Sequence, residues 1–152
     1  MTTRSPSPVE ALDLFGSLLQ LQEGGAVDVT ARPGPRDPGL WTVGAFHADS
    51  DRAVHADVWE RHPEADEVLC LLSGRMRVYL RDSERPEEPV AVLTPGTCLV
   101  VPAGHWHRLS VEEPGDLLTI SPRAGSEHTR ATLAPARGEE PGRGDLSRAE
   151  VE

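Results

Sequence analysis

Lysine is absent from this 152-residue chain, and all fifteen of its cationic side chains are arginine. The bias reflects a GC-rich genome and carries no chemistry of its own. Positive charge is also scarce, because twenty-five carboxylates leave a formal net charge of −10. So acidic a chain lacks the electrostatic footprint of a nucleic-acid or anionic-membrane binder, and neither partner is expected. No apolar run approaches the roughly 20 residues of a membrane span. The opening "MTTRSPSPVE" has no hydrophobic segment behind its charge, so no secretory leader is expected and a cytoplasmic location is. Cysteine is limited to Cys70 and Cys98, too few for a disulfide framework. Both lie in apolar runs, as buried thiols of a reducing compartment do, and a bridge between them is the alternative. At this length one domain with one core is expected.

What the chain does have is organised in three parts. Residues 1–38 read as an arm and a loop. Ser7, Pro8 and Glu10 form a helix-start signature before "ALDLFGSLLQL", which predicts a short helix over residues 7–21 that can end as a strand. Gly16 weakens that helix. Residues 31–39, "ARPGPRDPG", are loop. Across 39–122 short runs rich in Val, Leu, Ile, Trp and Thr recur between turn residues, among them "LWTVGAFHA", "AVHADVWE", "EVLCLLSG", "RMRVYLR" and "DLLTISP". Strands without intervening helices indicate an all-β antiparallel sandwich or barrel. Residues 123–152 have little to bury and read as a tail, largely disordered.

One stretch carries chemistry. In "WERHPEADEVLCLLSG", Glu60 and His62 share a strand face because side chains alternate. Pro63 breaks the ladder, "PEAD" turns, and Glu67 opens the next strand. Ionisable groups beside an apolar run are costly to bury unless paired or bound to a metal. A second stretch, "PGTCLVVPAGHWHRL", sends a strand across the core and turns at Pro102–Gly104 before His105 and His107. Glu60, His62, Glu67 and His107 are thus a candidate set. Leu69 and Leu71, with the parity of Glu67, would wall a small-molecule pocket. Trp59, Trp106 and Cys70 have the opposite parity and should face away from it. Arg75 and Arg77 either face solvent or clamp a carboxylate at the barrel mouth. His105 reads as a rim residue, and His47, His55 and His128 have no spacing partner.

These two stretches resemble the paired motifs of the cupins. His62, "PEAD", Glu67, "VLCLLS" and Gly74 match the end of the first motif. Gly96, "TCLVV", Pro102, Gly104 and His107 match the second, although Val111 stands where an Asn is frequent. The departure is Glu60, which replaces the first histidine of His-x-His, and Val54 replaces the glycine before it. The resemblance implies a double-stranded β-helix, or jelly-roll barrel, with a divalent metal held by His62, Glu67 and His107. Glu60 would be the fourth ligand, or a catalytic general base near metal-bound water. Two imidazoles and two carboxylates would neutralise a divalent ion, weaken it as a Lewis acid, and favour Mn, Fe or Zn over Cu. Six-coordination would leave two positions for water, dioxygen or substrate. The resemblance also implies an enzyme of oxygenase, isomerase or lyase type acting on a small organic metabolite, and a homodimer. The alternative is a non-catalytic, metal-free binder of small molecules.

Overall fold

A computed structural model describes residues 9–32, 34, 41–122 and 124–132. Eleven strands account for its regular structure: β1 (Ser17–Leu21), β2 (Val27–Ala31), β3 (Trp41–Ala48), β4 (Val58–Arg61), β5 (Glu67–Leu71), β6 (Arg75–Leu80), β7 (Ala91–Leu93), β8 (Cys98–Val101), β9 (His107–Glu113), β10 (Gly115–Pro122) and β11 (Glu127–Arg130). They form a six-stranded sheet, β2-β1-β3-β10-β5-β8, and a five-stranded sheet, β11-β4-β9-β6-β7. Every pairing is antiparallel. The all-β jelly roll is as the sequence indicated. Among the described residues no helix is long and apolar enough to cross a membrane.

Period-two patterning decides which side chains reach the core. In β5, Glu67, Leu69 and Leu71 are buried while Val68 and Cys70 are only half-buried. Met76 and Val78 of β6, Leu93 of β7, Val101 of β8 and Leu117 of β10 close around them. Each such side chain contributes about 1.5–3 kcal/mol by leaving water. At one end of the sandwich the β5–β6 turn crosses the β9–β10 turn. A side chain at Gly74 (φ +83°) would meet the Pro114 carbonyl at 2.5 Å, and one at Gly115 would meet the Ser73 carbonyl at 1.9 Å. Only glycine permits that crossing.

Four expectations need correction. The stretch expected to begin a helix has none among its described residues: Asp13 Oδ1 accepts from the Phe15 amide at 3.0 Å, a turn that competes with helix. The arm takes its strand alternative: its end, Ser17–Leu21, is β1, which pairs with β2 and β3. Ser7 and Pro8 lie outside the described residues, as does most of the 31–39 loop. In "AVHADVWE" only the end is strand. Residues 51–57 make successive turns, with His55 at φ 49° and Ala56 N donating to Asp51 O at 3.0 Å. Within the segment read as a tail, β11 pairs with β4; residues 133–152 lie outside the described set. Finally, Cys70 is half-buried and Cys98 exposed, and both are free thiols. They stand directly opposite each other on the outer face of β5 and β8.

Candidate metal centre

Three chain segments bring four residues to one point between the two sheets. β4 presents Glu60, and His62 follows directly after it. β5 opens with Glu67, and β9 opens with His107 in register with Glu60. The two turns that precede these strands are stitched together: Asp66 Oδ1 accepts from the Ala103 amide, and the Gly104 amide donates to the His62 carbonyl, each at 2.8 Å. The "PEAD" and "PAG" turns therefore bring separated parts of the sequence into contact. His62, Glu67 and His107 are 5%, 5% and 2% exposed, which is little for ionisable groups.

The ligating atoms face one another. His62 Nε2 lies 2.7 Å from Glu60 Oε1 and 3.0 Å from Glu67 Oε2, and His107 Nε2 lies 3.0 Å from Glu67 Oε1. One donor atom from each of the four residues falls within 4.8 Å of the others. The two rings are 5.7 Å apart and tilted by 36°. Behind the rings the opposite nitrogens are engaged. His107 Nδ1 sits 3.1 Å from the His105 carbonyl, which can only accept, so Nδ1 carries a proton. His62 Nδ1 sits 2.9 Å from Ser126 Oγ.

Burial and charge compete at these groups. Burial works against the charged form of His62, yet Glu60 and Glu67 outweigh it and push its pKa up to about 9. His107 is raised for the same reason, chiefly by Glu67 against burial. Burial would raise Glu67, but the two histidines hold it down at about 2. Glu60 is likewise held below the ordinary carboxylate value, burial being outweighed by its histidine neighbours.

A divalent cation fits this donor set. Both imidazoles turn Nε2 towards the carboxylates, and His107 at least must carry its ring proton on Nδ1, the tautomer a metal ligand needs. Oxygens from two carboxylates also flank the single Nε2 of His62, more negative charge than one N–H satisfies. Two neutral imidazoles and two carboxylates would balance the two positive charges of the ion.

Beside the cluster opens a cavity of about 510 Å³. Phe46, Val54, Leu69, Leu109 and Leu117 give it an apolar wall, and Thr119 and Ser121 add hydroxyls. Leu69 is where its parity indicated, whereas Leu71 is part of the core. Trp59 is buried away from the cavity beneath Arg108, 5.1 Å from its ring, and Arg61 lies 4.7 Å over Trp106. Arg75 and Arg77 both pair with Glu112 at the surface. His105 lies outside the cluster, 2.8 Å from Asp82, and His47 pairs with Asp116. His55 lines the cavity. Two residues without a signal in the sequence touch the cluster: Ser126 at His62, and His128, whose Nε2 is 2.9 Å from Glu60 Oε2. Their two-residue spacing is strand-like, but a segment as polar as "SEHTR" gives no pattern that marks it as sheet.

The family model described as "Cupin domain" matches residues 53–128, a span that contains all four cluster residues and His128. No curated protein sequence matches the chain. Solved structures similar to it include a cupin-2 domain containing protein from Shewanella frigidimarina, with 20% identity over 62% of this chain and 84% of that one, TM-score 0.43. A sugar phosphate isomerase from the cupin superfamily of Silicibacter pomeroyi is 17% identical over 61% of this chain and 57% of its own, TM-score 0.44. Hydroquinone 1,2-dioxygenase from Sphingomonas is 16% identical over 57% and 62%, TM-score 0.40. The motifs around Glu67 and His107, the two antiparallel sheets and the family match agree: this chain belongs to the cupins.

Proposed function

We propose that this cupin is a metal-dependent enzyme acting on a small organic metabolite by oxygenase, isomerase or lyase chemistry, with His62, Glu67, His107 and Glu60 holding Mn, Fe or Zn. The observation that carries this reading is the convergence of two buried imidazole Nε2 atoms and two carboxylates on one point, within 4.8 Å of one another. When bound, the ion would supply a Lewis-acid centre of little net charge at the wall of the cavity. Leu69, Leu117 and Phe46 would pack a compact organic ligand and exclude water. Thr119 and Ser121 would orient its polar groups. Glu60 is the most exposed of the four, with its side chain 36% accessible, and is ionised at neutral pH. It is therefore suited either to ligate or to accept a proton from the ligand.

Metal analysis of protein purified without a metal-affinity tag tests this. About one ion per chain is expected, and His62→Ala should lose it. Glu60→Ala distinguishes the two roles: a ligand's removal weakens metal binding, whereas loss of a general base leaves the ion bound and abolishes turnover. The alternative, a metal-free binder, draws support from the pairing within the cluster, since two imidazolium and two carboxylate groups already neutralise each other. Wild-type protein that takes up no Mn, Fe or Zn on dialysis would favour it.

A homodimer is also part of this proposal. The outer face of the six-stranded sheet presents Leu21, Val29, Trp41 and Val100, all at least 36% exposed. Few charges share it although the chain carries −10, so a second copy of the same face is its natural cover. Sedimentation should give twice the chain mass for wild type and a monomer for Val100→Glu; a monomeric wild type would refute it.

A further inference from the structure

The last strand of the described residues, β11, and the residue just before it reach the centre through two side chains that lie outside both metal-site motifs. β11 runs antiparallel to β4 with His128 directly opposite Glu60, so strand pairing itself delivers His128 Nε2 to Glu60 Oε2. Two residues earlier, just before the strand begins, Ser126 Oγ meets His62 Nδ1. The remaining side chains fasten the strand: Arg61 pairs with Glu127, and Arg130 with Asp57. One short segment thus contacts two of the four cluster residues, each on the side away from the point of convergence.

We propose that β11 and Ser126 act as a clamp on the metal centre, in which Ser126 fixes the ring of His62 and His128 makes Glu60 a one-atom donor. The proposal rests on the metal reading above. A ligating imidazole needs its other nitrogen protonated and held, and a hydroxyl accepting from Nδ1 does both. Glu60 stands where an imidazole would offer one donor atom, but a carboxylate offers two. With Oε2 held by His128, Oε1 alone is turned inward, 2.7 Å from His62 Nε2. A coordination position that a chelating carboxylate would occupy stays available to substrate. Ser126 and His128 are positioning residues; neither is itself within the ligand cluster.

The test uses the full chain with Co(II) as probe, because its visible absorption reports the number of donors. Ser126→Ala should bind Co(II) about 10–100-fold more weakly, and Ser126→Thr, which keeps the hydroxyl, should recover most of the loss. His128→Ala should weaken the absorption as the second Glu60 oxygen joins the ion. His128→Gln, whose amide N–H can hold that oxygen, should restore the wild-type spectrum. In wild-type protein, amide exchange of residues 127–130 should slow when Co(II) is added. Folded Ser126→Ala and His128→Ala variants with wild-type affinity and spectrum would overturn the clamp, as would exchange that Co(II) leaves unchanged. Wild-type protein that binds no Co(II) would instead overturn the metal reading and the clamp with it.

Discussion

Metal uptake and proton release should be coupled at this site, and the coupling can be calculated. His62, pushed up to about 9 by its two carboxylate neighbours, is charged at pH 7 by a ratio of about a hundred to one. A metal ion taking Nε2 must displace that proton. His107 is also raised and adds a further fraction of a proton, so release at pH 7 should lie between about one and two protons per ion. From His62 alone, apparent affinity should fall about tenfold, or about 1.4 kcal/mol, for each pH unit below 9. Where His107 is charged as well, the slope should approach a hundredfold per unit. Calorimetric titration with Zn(II) or Mn(II), repeated in weakly coordinating buffers of contrasting ionisation enthalpy, counts the protons directly. Release of less than about half a proton per ion at pH 7 would refute the reasoning, because His62 would then be neutral beforehand or outside the ligand set.

Three further outcomes follow from the same structure. Without added metal, stability should be greatest between about pH 4.5 and 6.5. His62 is raised, so its contribution is complete below about 6.5 and lost as pH rises through 9; Glu67 is depressed to about 2, so its contribution is complete above about 4.5 and lost as pH falls towards 2. The alkaline loss should be of order 3 kcal/mol, and since the two shifts describe the same contacts they do not add; urea denaturation against pH measures it, and a flat profile from 6 to 9.5 would contradict it. Leu71→Ala, in the core and outside the cavity, should cost about 2–5 kcal/mol by denaturant unfolding. Gly74→Ala, which combines φ +83° with a 2.5 Å approach to the Pro114 carbonyl, should cost at least about 2 kcal/mol by the same measurement, and a neutral result would contradict the turn crossing.

The sequence made the barrel and most of the centre legible because both depend on local rules. Alternation in "EVLCL" assigns Glu67, Leu69 and Leu71 to one face, and the burial of β5 follows it. Turn residues at "PEAD" and "PAG" mark where the chain reverses beside His62 and His107. The misreadings arose where long-range contacts decide. Asp13 and the pairing of β1 outweigh a local helix signature. Turns anchored at Asp51, whose carboxylate accepts from the Val111 amide at 2.7 Å, displace the strand expected at Ala53–Asp57. β11 is recruited by backbone pairing with β4 and by ion pairs, not by apolar periodicity. For that reason neither Ser126 nor His128 carries a signal in the sequence that ties it to the centre, although both touch it. The outward parity of Cys70 was visible, but apolar neighbours suggested more burial than an outer sheet face provides.

The most direct test of the central claim is anomalous diffraction from crystals of the full chain grown with Mn(II). The account predicts one strong anomalous peak per chain within bonding distance of His62 Nε2, His107 Nε2 and a Glu67 oxygen. Peaks confined to surface carboxylates, with none between those three residues, would contradict it.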